Sequence, residues 1–120
     1  MYIEIRTYRL KNGAIPAYLA AVAEGIAIQK RHLGTLLGYY SSEIGPINEI
    51  VHIWAFASLD EREARRARLN ADPEWIAFLP RIRDLIEVAE TRIMKPAAFS
   101  PVPDLARRRN PFHEGSTDAP

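Results

Sequence analysis

His52 and Trp54 stand two residues apart in an alternating run, so a β-strand would present both on one side. An imidazole beside an indole makes an aromatic, partly polar wall, and the imidazole could serve as acid or base near neutral pH. Tyr8 and Tyr39 add phenols, while Arg6 and Arg92 add guanidiniums able to grip a carboxylate through two bonds. A plainer reading stands beside this one. His52 and Trp54 would then be interface core, and Glu4, Arg6, Glu90 and Arg92 a structural ion-pair network. His32 and Trp75 are candidates for the rim of a cleft. Their plain roles are a helix end and hydrophobic packing.

No catalytic signature accompanies these residues. Histidines at 32, 52 and 113 lack metal-ligand spacing, so no metal is expected. There is no cysteine, which removes disulfides, thiolate nucleophiles and thiolate-ligated metals together. Neither a Gly-rich phosphate loop nor a Ser/His/Asp arrangement stands out, and no cofactor is implied. Arg62, Arg65, Arg66 and Arg68 look basic, but Glu61 precedes Arg65 by four. A solvated, salt-bridged helix face is the first reading of that run, an anion site the second.

Sixteen basic residues against fifteen acidic ones give a net charge of +1, no electrostatic footprint for nucleic acid or an anionic membrane. No apolar run approaches the ~18 residues of a membrane span, and the strand-like start with Glu4 and Arg6 is no secretory signal. A cytoplasmic compartment is the expectation.

The elements that must hold these side chains follow from periodicity. Residues 2–10 alternate as a first strand, ended by Asn12-Gly13. A helix over 14–32 carries Ile15, Leu19, Val22 and Ile26 on one stripe, with Pro16 in its first turn and Gly34 as its cap. Strands over 35–44 and 49–57 flank a Gly45-Pro46-Ile47-Asn48 hairpin loop. Ser58 and Glu61 have capping-box spacing and open a second helix. Asp72-Pro73 restarts a short one, and residues 86–95 form the last strand.

Strand, helix, strand, strand, helix, strand predicts an α+β, ferredoxin-like βαββαβ sandwich, a four-stranded antiparallel sheet with two helices on one face. The expected strand order is 4-1-3-2, with strands 1 and 3 parallel at the centre. The domain covers residues 1–101. Beyond Pro96, which opens a stretch holding five of the nine prolines, periodicity is lost; residues 102–120 read as a Pro-rich, mobile tail, with Phe99 anchored to the body.

Ile3, Ile5, Val51, Ile53, Ala89 and Ile93 are expected to lie beneath the helices. Tyr2, Glu4, Arg6 and Tyr8 then face away, with Leu37, Tyr39, Ser41, Ile50, His52, Trp54, Phe56, Val88, Glu90, Arg92 and Met94. The hairpin register expected for this face sets Tyr39 opposite Trp54 and Ser41 opposite His52. It is too aromatic to leave open to water. Two copies closing their sheets into an α+β barrel would cover it, and a homodimer is the expected partner state.

Several segments resemble the NIPSNAP family. They are Glu4-Ile5-Arg6-Thr7-Tyr8, the stretch from His32-Leu33-Gly34 through Leu37-Gly38-Tyr39 to Glu43-Ile44-Gly45-Pro46, and Val51-His52-Ile53-Trp54-Ala55. Arg65-Arg66, Asp72-Pro73-Glu74-Trp75 and Pro96-Ala97-Ala98-Phe99-Ser100-Pro101 continue the likeness, which spans residues 2–101. The resemblance implies a dimeric α+β barrel and carries over no catalytic residues. Two functions are expected. One is a module that binds a small aromatic or carboxylate ligand or acts as a scaffold. The other is a cofactor-independent oxygenase or isomerase acting on a small aromatic or polyketide-like substrate, an analogy from fold alone.

Overall fold

A computed structural model describes residues 1–105. The strands are β1 (Tyr2–Leu10), β2 (Thr35–Ser41), β3 (Glu49–Phe56) and β4 (Ile86–Met94). The helices are α1 (Ile15–Leu33), α2 (Leu59–Ala71), α3 (Pro73–Phe78) and α4 (Pro80–Arg83). Local chemistry sets these boundaries. Gly34 ends α1 at a φ of 89°, and its N–H bonds the Lys30 carbonyl. The Ser58 hydroxyl accepts from the Glu61 N–H, and the Glu61 carboxylate reaches back to the Ala57 N–H. Asp72 accepts from the Glu74 N–H at 2.8 Å, ahead of Pro73.

The sheet order is β2-β3-β1-β4, the ferredoxin-like order read from the sequence. Every neighbouring pair is antiparallel, so the expectation that β1 and β3 run parallel is wrong. The α1 crossover makes β1 and β2 run the same way. Since β3 returns from β2 by a hairpin and slots between them, it must oppose both.

The two faces are also exchanged. Glu4, Tyr8, Leu10, Ile50, His52, Trp54 and Phe56 are the buried residues on the helix side of the sheet, while Ala55 is buried on the other parity, opposite Ile3. Ile3, Ile5, Val51 and Ile53 are only half-buried, on the open side. Volume explains the exchange. The helices bring Tyr18, Trp75 and Phe78 to the core, and large rings bury most area against other large rings. The stripe of α1 is correspondingly rotated. It runs through Tyr18, Ala21, Val22, Gly25 and Ile28, while Leu19 is exposed. Gly25 belongs there because the Phe78 ring occupies the space a Cβ would need.

Strand β4 departs furthest from expectation. Its register sets Ile93 opposite Glu4 and Arg92 opposite Ile5, so Glu90 and Arg92 lie on the open side. Apart from Ile86, its residues are exposed, Ala89 and Ile93 among them. Phe99 does not anchor the tail; it is 92% exposed. Most of the expected mobile tail lies outside the described residues.

Candidate functional site

Both central strands aim their large side chains at the helices, and these meet around His52. In the sheet register Tyr39 and Arg6 flank His52 from opposite sides, on β2 and β1. The Tyr39 ring stacks on the imidazole at 4.4 Å and 15°, and Tyr8 meets it edge-on at 5.0 Å. From α1, the Tyr18 hydroxyl lies 2.6 Å from that of Tyr39. Tyr39 was expected opposite Trp54, two residues away. A slip of two keeps every side chain on its face, so the neighbourhood survives the error. Leu37 does change face, at the irregularity between Leu36 and Gly38.

The Trp54 indole N–H donates to His52 Nδ1 at 2.8 Å. An indole can only donate, so Nδ1 presents its lone pair and the imidazole proton sits on Nε2. His52 is fully buried, and among the described residues Nε2 has no hydrogen-bond partner. Burial first, then the nearby Arg6 charge, push its pKa down to about 3. The expected acid or base working near neutral pH is therefore not what this environment makes. His52 is a neutral ring with a fixed N–H donor. Burial also raises the pKa values of Tyr18 and Tyr39, so both keep their protons.

Beside the rings lies a carboxylate held by arginines. Glu4 is fully buried and accepts from Arg6 Nη1 at 2.9 Å. Arg62 of α2 grips it with Nε and Nη2, at 3.1 and 3.0 Å. Arg6 Nε donates to the Tyr8 hydroxyl at 2.8 Å. The expected network through Glu90 and Arg92 does not form, because β4 turns both to the other face. Arg92 leaves the candidate site for the same reason. Arg66 is half-buried beside this group, and burial followed by the Arg6 charge lowers its pKa.

Sequence reasoning thus finds Arg6, Tyr8, Tyr39, His52 and Trp54 together, as the structure has them. It does not anticipate Tyr18 and Arg62, which the structure brings against Tyr39 and Glu4, nor Arg66 one turn further along α2. A signal existed: Arg62 and Arg66 are four apart and share a helix face, set by the legible Ser58 cap. Arg65 is the member of the run that keeps the surface pair, to Glu61 at 2.7 Å.

The two rim candidates serve elsewhere. His32 Nε2 lies 2.7 Å from Asp72, which Arg31 also bonds, tying the end of α1 to the start of α3. Those partners, His32 first, bring the Asp72 pKa down to about 2. Trp75 is buried against Phe78 as core. On the open face, a cavity of ≈ 400 Å³ is framed by Ile3, Ile5, Leu37, Tyr40, Ile53 and the segment after Met94. Among the described residues no three His, Asp or Glu gather as metal ligands. Among the same residues no helix is long and apolar enough to cross a membrane.

The NIPSNAP family model matches residues 3–101. The chain belongs to the NIPSNAP family. The crystal structure of a NIPSNAP protein of unknown function from Agrobacterium tumefaciens is 76% identical, with a TM-score of 0.82 over 84% of this chain and 92% of that one. The NipSnap homolog of Dictyostelium discoideum is 28% identical over 93 residues, 78% of this chain. This NIPSNAP chain spans 41% of that protein's length, less than half of the curated relatives it matches first. A crystal structure of an antibiotic biosynthesis monooxygenase matches at a TM-score of 0.60 and 17% identity, over 81% of this chain and 99% of that one. That likeness concerns the fold alone.

Proposed function

We propose that this NIPSNAP protein is a homodimer, closed sheet to sheet, whose subunits each bind a small aromatic molecule between sheet and helices. The observation that carries the binding site is the His52 Nε2–H. Leaving such a donor buried and unanswered costs about 1–3 kcal/mol, and native proteins normally answer it with water or a ligand. The donor is flanked by aromatic walls, so a flat ligand bearing an acceptor oxygen fits it best. Nitrogen-15 spectra of histidine-labelled protein test this. His52 should show a protonated Nε2, a bare Nδ1 and no titration between about pH 5 and pH 9. A resonance that titrates near neutrality, or a proton on Nδ1, would remove the donor and the proposal with it.

The dimer rests on the other face. Ile3, Ile5, Val51 and Ile53 form an apolar sheet surface, bordered by exposed Tyr40 and Met94. Water is a poor cover for it. Sedimentation equilibrium should give twice the 13.6 kDa chain mass. Ile53→Glu should yield folded monomers. A wild-type monomer at micromolar concentration would end the idea.

A second reading, an enzyme of the cofactor-independent oxygenase or isomerase type, is favoured by the same donor. A preorganised N–H on a fully buried ring is suited to stabilise an enolate or phenolate oxygen. The cytoplasm is the compartment proposed, in keeping with a chain that has no cysteine to form disulfides.

A further inference from the structure

Around this site, cations outnumber their partners. Two guanidiniums, Arg6 and Arg62, grip one carboxylate, Glu4, and Arg66 stands one helical turn from Arg62, so two positive charges stay unbalanced. Glu4 is fully engaged, since its two oxygens accept three N–H bonds from Arg6 and Arg62. The fork of Arg62 is spent on that contact, and Arg6 Nε is turned to Tyr8. Arg66 remains half-buried, with no hydrogen bond or ion pair among the described residues. It follows Arg62 by one helical turn on the same side of α2. A desolvated guanidinium without an acceptor is unfavourable. The unanswered His52 Nε2–H is a second, independent sign that something is accepted here.

We infer that the occupant is a small aromatic carboxylate, its charge carried by Arg66 and its ring lying at the edge of the Tyr39–His52 stack. This rests on the proposed site at His52 and narrows what that site takes. Arg offers a planar fork that matches a carboxylate through two bonds. Tyr39 and Tyr8 already pack on the imidazole, so only a thin, flat molecule can approach Nε2 at its edge, which disfavours a tetrahedral anion such as phosphate.

Benzoate, benzamide and inorganic phosphate are the probes, each added at millimolar concentration to the intact protein. Benzoate should move the His52 Nε2 resonance and raise the melting temperature. Benzamide, of the same shape without the charge, should bind more weakly by about tenfold or more. Arg66→Gln should fold, because it removes a poorly solvated charge, and should lose about tenfold in benzoate affinity while leaving benzamide unchanged. Arg66→Lys, which keeps charge without the fork, should fall between. If benzamide moves the His52 resonance as readily as benzoate, the site stands and the carboxylate is overturned. Phosphate binding more tightly than benzoate overturns it too, as does an unchanged benzoate affinity in Arg66→Gln. If none of the three moves the resonance, both the ligand class and the site are lost.

Discussion

Glu4→Ala should remove about 3–5 kcal/mol of stability, the scale seen when one partner of a buried ion pair is deleted. Glu4 is the carboxylate on which Arg6 of β1 and Arg62 of α2 converge, fully buried, with three N–H bonds ending on it. Its loss strands two guanidiniums and leaves Arg66 without the acid that tempers it. Glu4→Gln keeps the shape and one acceptor, and should fall between the two. Urea melts of all three proteins decide the matter. A loss below about 1 kcal/mol for Glu4→Ala would mean that the group behaves as a solvated surface cluster.

Acid should expose the same contact. Burial alone would raise the Glu4 pKa, but the bonds from Arg62 and then Arg6 outweigh it and hold the pKa below its ordinary 4.5. The unfolded chain therefore takes up this proton first, and the Glu4 contribution is present above 4.5 and drains away as pH falls through the folded value. His52 acts in a higher window with the same sign. Its folded pKa is about 3 against an ordinary 6.5, so stability it supports at neutral pH is lost as pH falls between those values. Glu4→Ala should flatten the lower part of the acid profile and leave the upper part in place.

Element order was legible because its signals are local. Ser58 with Glu61, Asp72 before Pro73, and Gly34 after a basic helix end each announce a boundary through one side chain or one φ angle. The parity of the faces was harder. Both sides of β1 are apolar enough to be core, Ile3 and Ile5 on one and Tyr8 on the other. Charge at Glu4 and Arg6 argued for the outer side. What decides is a volume match to Tyr18 and Phe78, and an arginine arriving from residue 62, neither of which is local to β1.

The cluster around His52 was legible as a set, but the protonation of its imidazole was not. Period-two spacing puts His52 and Trp54 on one face, and Tyr39 stays with them because the register slips by two residues rather than one. The protonation of His52 depends on who donates to Nδ1 and on how deep the ring lies, and a spacing of two residues states neither. Arg92 failed for a related reason. The register of β4 shifts between Arg9 and Leu10, and a strand's parity against its neighbour cannot be read before that shift is known.

Trp54→Ala should cost about 3–5 kcal/mol, the usual range for emptying a large aromatic site in a core. Trp54 has no exposed surface and sits among Tyr39, His52 and the helices. Trp54→Phe isolates the second half of its role. It retains most of the ring volume but cannot donate, so His52 Nδ1 loses its partner, at about 1–3 kcal/mol for a buried polar atom left unanswered. The proton then has no reason to stay on Nε2. Nitrogen-15 spectra of Trp54→Phe should show the two tautomers mixed, with benzoate affinity reduced in proportion to the fraction that has lost its Nε2–H. A variant that keeps the proton wholly on Nε2 would show that Trp54 fills space and positions nothing.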